Sequence, residues 1–221
     1  MKRLMKGFAA MLLLLTLAKT AVAQQRFADE IMAFKKQDSV QKPPAGAIVF
    51  TGSSSFRMWE NIQSDFPGYT IINRAFGGST LPEVIYYAKD VILPYKPRQV
   101  IIYCGDNDLA SSETVTADMV VKRFQTLFYL VRKALPKTTI SFVSIKPSPS
   151  REHLLPKMKL ANASIKRFLS TQKNTSFIDV FTPMLGKDKK PRPDIFLEDN
   201  LHMNRKGYLI WQKTIQPYLV K

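Results

Sequence analysis

The chain has 221 residues, of which 45% are hydrophobic and 23% are charged, and its formal net charge at pH 7 is +16. This length suits one domain with a sizeable core, and the apolar content excludes an intrinsically disordered chain. One cysteine, Cys104, excludes an internal disulfide framework and a multi-cysteine metal site, and two histidines leave little room for a His-rich site.

The first 23 residues have the pattern of a secretory signal peptide. Basic residues at positions 2, 3 and 6 precede an apolar run over Phe8–Ala18, and Ala21-Val22-Ala23 matches a small-x-small cleavage site. We therefore expect residues 1–23 to be removed and residues 24–221 to form a domain exported to the periplasm or beyond. An uncleaved anchor is the alternative, but the apolar run is shorter than the ~20 residues of a membrane span, so we expect no stable membrane insertion after cleavage.

Strand and helix patterns alternate along the rest of the chain. Short apolar runs bounded by turn residues predict strands, and apolar residues at helical spacing predict helices. In chain order the predicted elements are a helix over Arg26–Gln41, strands over Ala47–Thr51, Tyr69–Asn73 and Gln99–Cys104, a helix over Val115–Ala134, a strand over Thr139–Ile145, a helix over Leu154–Thr171, a strand over Ser176–Val180 and a helix over Arg205–Leu219. This alternation indicates an α/β fold with a mostly parallel sheet that is covered on both faces.

The positive charge invites a nucleic-acid-binding interpretation. Removal of the signal peptide would leave 29 basic and 17 acidic residues, a net charge of +12. The basic residues are dispersed, and no RNP, helix-turn-helix or zinc-finger pattern is present. We therefore expect no nucleic-acid partner, and attraction to an anionic cell-envelope polymer is the milder interpretation. The sequence does not indicate an oligomeric state.

Polar, glycine-containing loops follow the predicted strands. Because ligands bind outside the carboxyl ends of parallel strands, these loops should form one site. Ser54 follows the first strand on a tight turn and can act as a nucleophile if a histidine activates it. His202 is the candidate base, and Asp199, three residues earlier on one predicted helical turn, can orient its ring. Gly78 and Asn107 can supply a backbone N–H and a side-chain amide to an oxyanion hole.

Four short blocks in this order resemble the conserved blocks of the SGNH, or GDSL-type, hydrolases. They are Gly52-Ser53-Ser54, Asn73 to Gly78, Gly105-x-Asn107-Asp108 and Asp199-x-x-His202. The resemblance implies a flavodoxin-like three-layer α/β/α sandwich with five parallel strands in the order 2-1-3-4-5. It implies Ser54 as nucleophile and His202 as base oriented by Asp199. It also implies that the oxyanion donors are Ser54 N–H, Gly78 and Asn107, and that no metal or organic cofactor is needed.

One departure from the family pattern and one rival pattern bear on the choice of the nucleophile. Ser53 stands where the family usually has Asp, which leaves three consecutive serines, and the Gly-x-Ser alignment selects Ser54. The nucleophile elbow of α/β-hydrolases has the pattern GxSxG, whereas Phe56 stands two residues after Ser54 here. Taken alone, Ser54 would be better interpreted as a turn or helix-capping residue, and it is Gly52 and the other blocks that favour catalysis. Asp106-Asn107-Asp108 could suggest a cation loop, but no EF-hand spacing follows, and we expect Asp108 to stabilise its loop by hydrogen bonding.

The resemblance implies hydrolysis of a carboxylic ester through an acyl-enzyme. Short loops without an evident lid favour small acyl groups, such as acetyl, on a soluble or polysaccharide-borne alcohol. Arg57, Arg74 and Phe76 are candidates to bind substrate on the alcohol side, and core packing is the open alternative for Phe76. An acyltransferase with the same site, or a catalytically inactive envelope glycan-binding protein, remains a further alternative.

Overall fold

The computed structural model describes residues 26–221, and the predicted signal peptide over residues 1–23 lies outside that range. Within it, one parallel sheet has the strand order β2-β1-β3-β4-β5. In the register of this sheet, Ile48 lies between Ile71 and Gln99. The strands are β1 (Ile48–Gly52), β2 (Ile71–Asn73), β3 (Gln99–Tyr103), β4 (Thr139–Val143) and β5 (Thr175–Ile178). The predicted α/β fold and its strand order are confirmed.

Helices cover both faces of the sheet. In chain order they are α1 (Ala28–Val40), α2 (Ser54–Arg57), α3 (Ile62–Asp65), α4 (Leu81–Val91), α5 (Asp106–Ala110), α6 (Ala117–Ala134), α7 (Leu155–Ser170) and α8 (Arg205–Ile215). None of these described helices is long and apolar enough to cross a membrane.

The alternation of side chains along β3 divides the core into two layers. Val100 and Ile102 pack with the apolar residues of α1, α4, α6 and α7, whereas Ile101 and Tyr103 pack with those of α2, α3 and α8. This is the pattern expected when successive side chains of a buried strand point to opposite faces. The sheet is therefore the middle layer of three, with its carboxyl edge free to present loops.

Several elements differ from the sequence prediction. The short helices α2, α3 and α5 were not predicted, and β5 spans Thr175–Ile178 instead of Ser176–Val180. The two larger differences concern α4 and the last helix. Helix α4 was not predicted, although its start has a recognisable signal, because Oε2 of Glu83 accepts the N–H of Thr80 at 2.7 Å. The last predicted helix, over Arg205–Leu219, stops being α-helical at Ile215 and continues as a 3₁₀ turn. Pro217 explains this change, since it has no N–H to continue the α-helical ladder.

Candidate active site

The end of β1 makes a turn that requires glycine. Gly52 has a φ of +125°, and a Cβ atom there would lie 1.9 Å from the carbonyl oxygen of Tyr103 on β3. A side chain at this position would therefore disrupt the pairing of β1 with β3. Helix α2 begins two residues later with Ser54, which is partly exposed at the carboxyl edge of the sheet.

Ser54, His202 and Asp199 are connected by hydrogen bonds. Nε2 of His202 lies 3.0 Å from Oγ of Ser54, and Nδ1 of His202 lies 2.5 Å from Oδ2 of Asp199. Because an ionised carboxylate can only accept, the ring proton belongs on Nδ1, which leaves Nε2 free to accept the proton of Ser54. The three groups thus stand in the order that activation of a serine requires.

Asp199 is held in place by its own loop. Its Oδ1 accepts the backbone N–H groups of Leu201 and His202, each at 2.9 Å. Burial acts to raise the pKa of Asp199, but these N–H groups and the His202 ring outweigh it and lower the pKa to about 2. Asp199 is therefore a carboxylate at neutral pH, as an orienting acid must be.

The segment between Asp199 and His202 is a reversing loop, and the prediction of a helical turn there is wrong. Asn200 has a φ of +55°, a left-handed conformation that Asn adopts more readily than most residues. The N–H of Leu197 donates to the carbonyl of His202 at 2.8 Å and closes the loop. The spacing of three still brings the two side chains together, but through the loop rather than along a helix face.

Of the predicted oxyanion donors, Gly78 lies on the loop after β2 and Asn107 lies in the first turn of α5, directly after β3. Gly78 is in the left-handed region, with a φ of +72°. Nδ2 of Asn107 donates to Oγ of Ser53 at 2.6 Å and to the carbonyl of Ser79 at 3.1 Å. Asn107 therefore connects both the serine turn and the Gly78 loop, and its amide lies next to the turn that holds Ser54.

The three consecutive serines have different surroundings. Ser53 and Ser55 are each 1% exposed, whereas Ser54 is partly exposed. The hydroxyl of Ser53 contacts Asn107, and the carbonyl of Ser55 accepts the hydroxyl of Tyr208. Of the three, Ser54 is the one whose hydroxyl meets His202.

Comparison with known protein families identifies the family to which this chain is similar. The model of the GDSL-like lipase/acylhydrolase family matches residues 43–210, which include all the residues of the site described so far. The chain belongs to this family. It is accordingly an enzyme of the esterase and lipase type. Comparison with curated proteins returns no match.

Solved structures share the fold of this GDSL-type hydrolase. A candidate acylhydrolase from Bacteroides fragilis is 22% identical, covers 88% of this chain and 94% of its own, and has a TM-score of 0.73. A GDSL-like lipase from Bacteroides thetaiotaomicron is 20% identical, with coverages of 85% and 96% and a TM-score of 0.73. A variant of Axe2, an acetyl-xylooligosaccharide esterase from Geobacillus, is 15% identical, with coverages of 80% and 95% and a TM-score of 0.63.

A buried ion network adjoins Asn107 in the hydrolase. Oδ2 of Asp106 lies 3.0 Å from Nη1 of Arg151 and 3.4 Å from Nζ of Lys146, whose side chain is 1% exposed. Burial alone would raise the pKa of Asp106, but these two cations lower it below its ordinary value. Nη2 of Arg151 also donates to Oδ1 of Asn107 at 2.8 Å, which determines the direction in which the Asn107 amide presents its N–H groups.

Sequence reasoning missed Arg151 and Lys146. Both lie on the loop after β4, which the alternation of strands does place at the carboxyl edge. That position was the available signal, because a lysine buried at the end of a strand needs a carboxylate partner. Asp106, after the neighbouring strand, is that partner.

The three candidate substrate-binding residues have different settings. Arg57 is about half-exposed, and its Nε lies 2.8 Å from Oε2 of Glu30. Arg74 is 8% exposed and donates to Tyr95, to the carbonyl of Asn73 and to Asp38. Phe76 is fully buried in the core. The structure thus leaves Arg57 accessible to a ligand, whereas the surroundings of Arg74 and Phe76 favour internal packing.

Two further residues of the carboxyl edge stabilise its loops. Oδ2 of Asp108 accepts the N–H of Leu81 at 2.9 Å, and Oδ1 lies 2.7 Å from Nη1 of Arg123, so its predicted structural role is confirmed. Cys104 is fully buried. Burial, with the nearby Asp108 and Asp106, raises the pKa of the Cys104 thiol well above its ordinary value.

Several cavities border α1. A cleft of about 320 Å³ lies between α1 and the loop after β2, lined by Glu30, Ala33, Phe34, Gln37, Arg57, Asn73 and Ala75. A larger cavity of about 590 Å³ has Ala45 and Lys96 among its lining residues, which precede β1 and β3, and none of the triad residues lines it. No triad residue lines the smaller cleft either, but Arg57 of the nucleophile helix α2 and Asn73 at the carboxyl end of β2 do, so this cleft is the one beside the site.

Proposed function

We propose that this chain is a serine esterase that hydrolyses short-acyl esters, acetyl esters above all, with Ser54 as the nucleophile. The observation that carries the proposal is the continuous chain from Oγ of Ser54 through the His202 ring to the Asp199 carboxylate. A serine hydroxyl is a weak nucleophile until a base accepts its proton as it attacks.

Acylation follows from this geometry. As Oγ of Ser54 forms a bond to the ester carbonyl carbon, its proton passes to Nε2 of His202, and the carbonyl oxygen becomes an oxyanion. Asp199 stabilises the resulting imidazolium through Nδ1. The imidazolium then protonates the leaving alcohol, and the acyl group stays on Ser54. In the second half, Nε2 accepts a proton from water as the water attacks the acyl carbon, and Ser54 leaves with that proton.

The oxyanion is stabilised by the N–H of Ser54, the N–H of Gly78 and the amide of Asn107. Ser54 is the first residue of α2, so its N–H has no partner within that helix. Nδ2 of Asn107 already donates to a hydroxyl oxygen, that of Ser53, at 2.6 Å. A fully charged oxyanion is a stronger acceptor than this hydroxyl, so the developing charge draws the amide toward itself in the transition state.

The surroundings of Ser54 favour a small acyl group and a polar alcohol. The large apolar side chains near α2, those of Phe56, Trp59 and Phe76, are buried in the core and are not arranged as an acyl groove. The cleft beside α1 has polar and apolar residues in its lining, and the side chains of Glu30 and Arg57 there can hydrogen-bond a sugar. The substrate class that we propose is therefore an acetylated soluble or polysaccharide-borne alcohol, met in the periplasm or outside the cell after export.

A panel of esters tests the proposal. Purified protein is assayed with p-nitrophenyl acetate, butyrate and palmitate and with acetylated xylo-oligosaccharides, and Ser54→Ala is the control. We expect acetyl esters to exceed palmitate by at least about tenfold in kcat/KM, since each misfitting methylene costs discrimination, and Ser54→Ala to be inactive. Faster cleavage of palmitate would overturn the short-acyl assignment, and full activity in Ser54→Ala would overturn the mechanism.

A further inference from the structure

Helix α1 lies outside the part of the chain that matches the family model, yet it contacts the active-site loop after β2. The family match begins at residue 43, whereas α1 spans Ala28–Val40. The loop that it contacts, residues 73–79, contains Gly78 and connects β2 to α4. We define this segment as the oxyanion loop.

Glu30 makes the central contact between α1 and the oxyanion loop. Its Oε2 accepts the backbone N–H of Gly77 at 3.3 Å and lies 2.8 Å from Nε of Arg57. Gly77 is adjacent to the predicted oxyanion donor Gly78, and Arg57 is three residues after Ser54 on α2. One carboxylate oxygen therefore connects the oxyanion loop to the nucleophile helix.

The absence of a side chain at Gly77 allows this arrangement. A Cβ atom there would lie 3.1 Å from Nη1 and 3.2 Å from Cδ of Arg57. Arg57 thus lies directly over the Gly77 backbone, within reach of Glu30. Glycine at this position brings the loop, the arginine and the carboxylate into one contact.

Other residues of the N-terminal segment also contact the oxyanion loop. The rings of Phe27 and Phe76 meet edge-on with centroids 4.9 Å apart, and both side chains are buried. Asp38, at the far end of α1, pairs with Arg74 at the start of the loop. Nη2 of Arg26 donates to the carbonyl of Gly78 at 3.4 Å. The N-terminal segment therefore holds the oxyanion loop along its length, and Glu30 is the residue of α1 that contacts the Gly77–Gly78 pair.

We propose that Glu30 is a positioning residue of the active site, which fixes the Gly77–Gly78 backbone so that the Gly78 N–H points at the oxyanion. This inference rests on the proposed function. Two consecutive glycines have more backbone freedom than any other pair, and an oxyanion donor acts only if its direction is set before reaction. Glu30 removes that freedom at one end of the pair, and the bonds to the Ser79 carbonyl remove it at the other.

Substitutions at two adjacent positions of α1 test the proposal. Glu30→Ala removes the contact, and Asp29→Ala removes the same charge from an exposed neighbour in the same helical turn. Loss of a whole oxyanion donor reduces kcat by ~10²–10³. With p-nitrophenyl acetate, which has no sugar to occupy the cleft beside α1, we therefore expect the misaimed donor of Glu30→Ala to reduce kcat about tenfold and to leave KM nearly unchanged. Asp29→Ala should match the wild type. The rate of Ser54 labelling by a fluorophosphonate, whose phosphoryl oxygen occupies the oxyanion site, should fall in parallel.

Two conservative variants separate positioning from stability and charge. Glu30→Gln keeps an oxygen that can accept the Gly77 N–H and should recover most of the lost kcat, whereas Glu30→Asp keeps the charge but withdraws the oxygen and should resemble Glu30→Ala. Thermal melts show whether each variant is folded. If Glu30→Ala unfolds, the comparison of Glu30→Gln with Glu30→Asp still tests the positioning role.

The outcomes separate failure of this inference from failure of the proposed function. If the wild type shows no Ser54-dependent turnover or labelling, the proposed function fails and the inference fails with it. If the wild type is active and kcat of Glu30→Ala stays within about twofold of it, the positioning role alone is overturned. A kcat of Glu30→Asp equal to that of Glu30→Gln would overturn it as well.

Discussion

Replacing Asp199 by Asn should nearly abolish turnover, because the loop around position 199 dictates how an amide would sit there. Oδ1 of Asp199 accepts two backbone N–H groups, and Oδ2 faces Nδ1 of His202. In Asp199→Asn the amide oxygen must take the Oδ1 position, since an NH₂ group there would face two donors. The NH₂ group would then point at Nδ1 of His202 and donate to it, which forces the ring proton onto Nε2. That tautomer cannot accept the proton of Ser54.

The size of the effect follows from this forced tautomer. A triad held in the wrong tautomer loses ~10⁴ in kcat, which corresponds to about 5 kcal/mol of transition-state stabilisation. Asp199→Ala leaves the ring free to adopt either tautomer, so we expect its kcat to equal or exceed that of Asp199→Asn. Steady-state hydrolysis of p-nitrophenyl acetate gives both values, and circular dichroism checks the fold. Retention of more than about a tenth of the wild-type kcat in Asp199→Asn would refute this reasoning.

Three further predictions concern residues around the site. Arg151→Met should lower kcat about tenfold, because it removes the hydrogen bond that orients the Asn107 amide. Unchanged kinetics would show that this hydrogen bond does not contribute to catalysis. The hydrogen bond from Arg205 is the main cause that lowers the pKa of Asp65, so the stability it contributes is present above about pH 4 and lost as the pH falls below that value. Asp65→Asn should therefore lower Tm by roughly 4–10 °C at pH 7 but by much less at pH 3, and an equal shift at both would contradict the ion pair's role. Cys104 should react with Ellman's reagent in urea but not in buffer, and rapid reaction of the native protein would contradict its burial.

Local patterns were sufficient to predict most of the elements. Continuous apolar runs such as Gln99–Tyr103 identify buried strands, and the spacing over Ala117–Ala134 identifies an amphipathic helix. Helix α4 escaped prediction because Gly77, Gly78 and Pro82 are residues typical of turns, although a proline is tolerated in the first turn of a helix. The strand order came from family resemblance, since periodicity alone does not order parallel strands.

The residues of the candidate site also divide into those that local sequence patterns predict and those that they do not. Ser54, Asp199 and His202 could be selected because each stands in a short recognisable block at the end of a predicted strand or near the chain's end. Arg151 and Glu30 could not, since Arg151 meets Asn107 across 44 positions and Glu30 meets Gly77 across 47. Contacts of this kind depend on how helices dock, and no local spacing encodes them. The loop between Asp199 and His202 was predicted as a helical turn because the spacing of three fits both forms.

The identity of the nucleophile is the central claim, and the three consecutive serines make it directly measurable. Wild type, Ser53→Ala, Ser54→Ala and Ser55→Ala are treated with a fluorophosphonate and examined by intact mass and peptide mapping. Ser54 is partly exposed and contacts His202, whereas Ser53 and Ser55 are buried. We therefore expect one adduct, on Ser54, in the wild type and in both flanking variants, and no adduct in the Ser54→Ala variant. An adduct in the Ser54→Ala variant, or an adduct mapped to Ser53 or Ser55 in the wild type, would contradict the assignment of Ser54 as the nucleophile.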